Sequence, residues 1–114
     1  MAFDVTSIDF RSGLHGVVFD HSEADGTTQP LVAWDTTSQK IFVHLIKLSC
    51  YSGKVAVFDG SAGVKIARLM STESNYVTEE WDFHGDPVQC DGTTNLCVSG
   101  SGVFHGLVKY ELGV

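Results

Sequence analysis

Carboxylates, histidines and tryptophans are the residues of this chain whose types and spacing invite chemistry. Asp20, Glu23 and Asp25 fall in the segment Asp20–Gly26, just ahead of a glycine, where oxygen ligands can hold calcium. Their spacing is not that of a helix–loop–helix calcium site, so a polar surface loop accounts for them more simply. Glu79, Glu80, Asp82 and Asp86 offer carboxylates of the kind that glycoside hydrolysis uses in pairs. On a strand, adjacent side chains point to opposite faces, so Glu80 and Asp82 share a face while Glu79 does not. Nothing beside them positions a sugar. Trp34 and Trp81 can stack on a carbohydrate or anchor an interface, although a core or rim position is the commoner fate of a tryptophan.

Other chemistries lack their parts. No Gly-x-Ser-x-Gly elbow links a strand to a helix, and Gly100-Ser101-Gly102 reads as a turn rather than a nucleophile. No glycine loop opens a helix that would cradle phosphate. Cys50, Cys90 and Cys97 are odd in number and contain no Cys-x-x-Cys. His15, His21, His44, His84 and His105 stand apart in the sequence, which is poor spacing for zinc. Cys90 and Cys97 flank Asp91–Asn95 and can face each other across neighbouring strands; buried thiols are the expectation in a reducing compartment. The residues therefore predict no enzyme, no cofactor and no metal.

Composition narrows the partners. Fourteen acids against seven Lys and Arg leave a net charge of −7 across 114 residues. Phosphate backbones and anionic membranes are held by cations, so neither nucleic acid nor membrane is an expected partner. The length suits a single domain spanning 1–114. The opening MAFDVTSIDF lacks a basic stretch followed by an apolar one, so the chain is expected without a signal peptide and made in the cytoplasm.

The elements that must position these residues read as strands throughout. Phe3–Phe10 alternates; Leu14–Phe19 follows, then the polar stretch Asp20–Pro30 and the short Leu31–Asp35. Ile41–Leu69 predicts three strands joined by tight turns at Ser52-Gly53 and Asp59–Gly63. Tyr76–Phe83, Val88–Cys90, Leu96–Ser99 and Val103–Glu111 complete the set. With no helical periodicity, the expected class is all-β: an antiparallel two-sheet sandwich, jelly-roll-like, of about eight to ten short strands. The first strand, Phe3–Phe10, is expected to pair with the last, Val103–Glu111. Around Ile41–Leu48 both faces carry apolar side chains: Ile41, Val43 and Leu45 on one, Phe42, Ile46 and Leu48 on the other. A sheet with one wet face alternates more cleanly. A second copy covering that face is one explanation, which makes Ile41, Val43 and Leu45 candidate contact residues beside Trp34 and Trp81, the candidate interface or ligand contacts. Burial within one chain by twist and loops is the other.

The run CYSGKVAVFDGSAGVKIARL, followed by EEWDFHGDPVQCDGTTNLCVSGSGVFHGLVKYELG, resembles the small β-sandwich structural proteins of tailed-bacteriophage virions. The matching positions are Val55, Val57, Asp59 and Gly60; Trp81, Asp82, Phe83, Asp86 and Pro87; Leu96, Val98, Ser99 and Gly100; Gly106, Val108 and Tyr110. The resemblance covers about the last two thirds of the chain and consists of strands and turns, so it carries no functional residues over. It implies a virion component: a capsid decoration or cement protein, or a tail-associated module. Its partners would be further copies of the chain, a trimer among the forms open to it, and other virion proteins. The alternative is a carbohydrate-binding, lectin-like module, in which Trp34, Trp81 and the Asp20–Asp25 loop would form the site, with calcium assisting.

Overall fold

The computed structural model describes residues 3–10, 13–21, 27–32, 40–60, 64–71, 74–90 and 95–113. Among these residues eight strands run in chain order: β1 (Phe3–Asp9), β2 (His15–His21), β3 (Thr27–Val32), β4 (Lys40–Asp59), β5 (Val64–Met70), β6 (Tyr76–Asp82), β7 (Val88–Gln89) and β8 (Leu96–Gly113). All pair antiparallel within one sheet, so the class is all-β.

The spine of that sheet is the pairing of β4 with β8, which continues from Lys40↔Gly113 to Asp59↔Leu96. A straight strand of 20 residues would reach roughly 66 Å at the usual rise. The whole molecule extends only 42 Å along its longest axis, so the ribbon must bend. It does so where the register shifts between Tyr51 and Lys54. Ser52 there has φ 50° and Gly102, on the facing strand, φ 77°. Gly53 is needed at the same point for space, because a Cβ on it would lie 2.1 Å from the Ser101 carbonyl oxygen. His21, at the end of β2, closes the bend: its Nδ1–H donates to the Gly102 carbonyl at 2.8 Å and its ring stacks on Phe104 at 4.8 Å.

Either side of the bend the ribbon recruits different partners. The half formed by the start of β4 and the end of β8 is flanked by β2 and then β1 on one side, and by β6 and β7 on the other. The half formed by the end of β4 and the start of β8 is flanked by β3 and β5. Phe19, Leu48, Phe104 and Val108 from the first half share one core cluster with Val57, Leu69, Leu96 and Val98 from the second. The expected two-sheet sandwich is thus realised as one continuous sheet folded across itself.

Three sequence expectations are corrected here. Ser52-Gly53 makes no hairpin and Gly100-Ser101-Gly102 no turn, because each lies inside a long strand. β1 does not pair with the last strand; β2 lies between them. The third concerns the two apolar faces. An extra residue, His44, interrupts the pairing between Val43↔Tyr110 and Leu45↔Lys109. Each such bulge reverses which residues face inward. Hence Ile41 and Val43, then Ile46, Leu48 and Cys50, then Val55 and Val57 all point into the same core, at 0–1% exposure. The apparent second apolar face is a phase change in a single inward-facing row.

Gly53→Ala should lower the unfolding free energy by about 2–3 kcal/mol, as overpacking against backbone does. The check is a urea melt with unchanged slope, and a shift of less than about 0.5 kcal/mol, the usual range of neutral surface changes, would contradict the bend.

Candidate functional site

With the core row defined, the outward row of the second half follows. On β4 it consists of Lys54, Ala56 and Phe58, which alternate with the buried Val55 and Val57. Across the sheet, Met70, Lys54 and Ser101 lie in one row and Arg68, Ala56 and Ser99 in the next. Lys65, opposite Phe58, begins a third. The small side chain of Ala56 leaves an open hollow of about 470 Å³, walled by Lys54, Lys65 and Arg68 and floored by Phe58 and Met70. Among the described residues no acidic side chain lines it. Lys65 Nζ stands 6.0 Å from the Phe58 ring centre, a distance at which the ring face still attracts a cation.

Lys65 and Arg68 are three apart in sequence, a spacing that would normally put them on opposite faces of a strand. A register shift between Val57 and Phe58 makes Ile66 the extra residue, so Arg68 opposes Ala56 and Lys65 opposes Phe58. Both cations therefore point outward, spaced as if two residues apart. In the sequence, these three cations enter only through the net charge. Their alternation with Val55, Val57, Ala67 and Leu69 was the available signal, but it becomes legible only once the register of β5 is known.

The opposite charge collects on β6. Glu79, Glu80 and Asp82 are all exposed, with Glu80 opposite Lys47 and Asp82 opposite Leu45 on the outer face. Glu80 and Asp82 do share a face, as their spacing required. Asp82 Oδ1 accepts the His84 backbone N–H at 2.9 Å and the ring Nδ1–H at 2.6 Å. The backbone bond first, then the ring, hold this carboxyl below the ordinary aspartate range. Nearby, the His44 carbonyl accepts Phe83 N–H at 2.7 Å, and His44 Nε2 reaches Glu111 Oε1 at 3.2 Å. The bulge at His44 thus ties β6, its following turn and β8 together. Among the described residues no group of three or more His, Cys, Asp or Glu side chains could hold a metal ion.

The residues singled out from the sequence are dispersed rather than gathered. Ile41 and Val43 are 1% and 0% exposed in the core, so this chain's own packing uses them. Leu45, on the outer face, is 8% exposed. Trp81 is half-buried, opposite Ile46, and packs on the core cluster. Trp34 lies outside the described residues, as do Glu23 and Asp25 of the acidic loop. His21 of that loop is buried at the bend, while Asp20 pairs with Asp4 and His105 on a strand. Cys50, Cys90 and Cys97 are buried thiols, and burial pushes Cys50 and Cys97 above the ordinary thiol range. Cys97 opposes Pro30 and Phe58 in the sheet, whereas Cys90 N–H donates to the Ile41 carbonyl.

No family model matches the chain, and no curated protein does. Among solved structures, it is similar to the coat protein of Tobacco streak virus, with 15% identity and a TM-score of 0.41 over 91% of this chain and 90% of that one. It is also similar to a cupin superfamily protein from Desulfitobacterium hafniense DCB-2, with 8% identity and a TM-score of 0.33 over 97% and 79%. At such scores neither neighbour defines the topology of this chain, which stands on its own strand pairings.

A carboxyl held below its ordinary pKa stabilises the fold above that ordinary value, and the contribution is lost as pH falls through the lowered one. Asp82 should therefore titrate below the ordinary aspartate range by NMR. His84→Ala should move it part of the way back, since the backbone N–H remains. An unchanged titration in that variant would remove the ring from the account.

Proposed function

We propose that this chain is a non-enzymatic structural protein of a virion, working through contacts with further copies of itself and with other virion proteins. A capsid decoration or cement protein, or a tail-associated module, is the form that the tailed-phage resemblance suggests. Synthesis of the chain in the host cytoplasm and residence in the virion belong to the same proposal.

The observation that carries this reading is the separation of charge between two sheet edges. The described strands β5 and β6 both pair only with β4, so each presents one side without a strand partner. An open edge is a template for another strand unless charge or cover blocks it. Here one edge strand carries Lys65 and Arg68 and the other carries Glu79, Glu80 and Asp82. In a chain of net charge −7, a hollow whose described charged lining is Lys54, Lys65 and Arg68 is a surface suited to an acidic partner. The carbohydrate-binding alternative finds less support, because Trp81 spends its ring on the core.

Multi-angle light scattering of the purified chain at micromolar concentration should give a mass above 12.3 kDa at low salt, falling towards it as salt rises. A strict monomer at every salt concentration would overturn the reading.

A further inference from the structure

We infer that the β5 edge of one copy receives the β6 edge of a second copy, with Lys65 and Arg68 of the first facing Glu80 and Asp82 of the second. This rests on the reading above, that the chain works by contact, and it names the surfaces.

Three features point to a strand-borne partner rather than a small anion. The cations do not converge on a point. Lys54, Arg68 and Lys65 occupy successive outward rows of the sheet, through Lys54, Ala56 and Phe58 of β4. Successive rows on one face are roughly 6.7 Å apart, so the cations are spread over about 13 Å. Carboxylates on one face of an extended strand repeat at that same interval, whereas a phosphate needs donors gathered around one centre. Glu80 and Asp82 have this interval because they are two residues apart on the outer face of β6. Lys65 and Arg68 have it because the extra residue in β5 brings them to opposite Phe58 and Ala56.

Facing is consistent as well. A strand added to a sheet edge continues the two faces of that sheet. Lys65 and Arg68 lie on the outer face of their half, and Glu80 and Asp82 on the outer face of theirs. Joining β6 of one copy to β5 of another therefore sets carboxylates beside cations, with backbone groups pairing beneath them. Lys47, the neighbour of Glu80 within its own chain, sits on β4, and among the described residues no strand pairs with the other side of β6. Asp82 keeps its bond to His84 through Oδ1.

The charges also select against wrong pairings. Two β5 edges would bring cation against cation, and two β6 edges acid against acid; each is repelled where the mixed pair is attracted. The contact is thus between unlike surfaces, the kind that builds rings or continuing arrays.

The test uses two charge-reversed chains, Lys65→Glu with Arg68→Glu, and Glu80→Lys with Asp82→Lys, each checked for the native fold by circular dichroism. Each alone should associate at least about tenfold more weakly than the parent chain at low salt, and an equimolar mixture should regain association. Parent-like association in either reversed chain would overturn this pairing while leaving the contact function standing. Failure of the folded pair to associate on mixing would do the same. A parent chain that never associates would overturn both. Stoichiometric binding of inorganic phosphate in the Lys54–Arg68 hollow, with association unaffected by the reversals, would assign the hollow to a small anion instead and overturn the pairing.

Discussion

The pairing of β4 with β8 across a single bend is the constraint on which the rest of the molecule depends. Two strands that stay hydrogen-bonded from Lys40↔Gly113 to Asp59↔Leu96 cannot be straight in a body 42 Å long. The bend is therefore obligatory, and it demands backbone that side chains would obstruct. Gly53 and Gly102 meet that demand from opposite strands, with the buried His21 holding the Gly102 carbonyl from the side. Folding the ribbon over brings two halves of one sheet face to face, and the core is the space between them. Most of its contacts are distant in sequence, so such a topology folds slowly for its size.

Bulges then decide which residues meet the core and which meet solvent. Each inserted residue reverses the alternation, and β4 undergoes this at His44 and again at the bend. Without these reversals, a strand of 20 residues would deliver Ile41 and Val43 to one face and Ile46, Leu48 and Cys50 to the other. With them, all five enter one core. The same device in β5 turns Lys65 and Arg68 to a common face. Irregularities in the ladder thus produce both the regular interior and the charged outer surface. The electrostatic character of the two edge strands follows from packing rules before any partner is considered.

This explains how much was legible in the chain itself. The alternating Phe3–Phe10 and apolar runs such as Val55–Phe58, punctuated by glycine, are local signals, and they yield the all-β class and most strand positions. Ser52-Gly53 looked like a hairpin because serine and glycine suit a tight turn. Only the facing Gly102, some fifty residues away, shows that the chain bends there without reversing its pairing. The doubled apolar pattern around Ile41–Leu48 misled for a related reason: a bulge is defined against its partner strand, and the partner is not local. The candidate contact residues Ile41 and Val43 were drawn from that pattern and belong to the core. The basic hollow is not legible locally because Lys54, Lys65 and Arg68 are brought to one face only through strand register. Glu80 and Asp82, whose spacing is local, were paired correctly from the sequence alone.

The central claim is that β4 and β8 stay paired on both sides of the bend as one ribbon, whose outward residue Lys54 lies in the row next to Arg68 of β5. Nuclear Overhauser contacts across the two strands test it most directly. The account predicts inter-strand contacts on both sides of the bend, Cys50 with Phe104 and Val55 with Gly100, together with contacts between Ala56 and Arg68. Contacts of Tyr51 or Cys50 with Val55 and Ala56 in the pattern of a hairpin closed at Ser52-Gly53, and none between Val55 and Gly100, would contradict it.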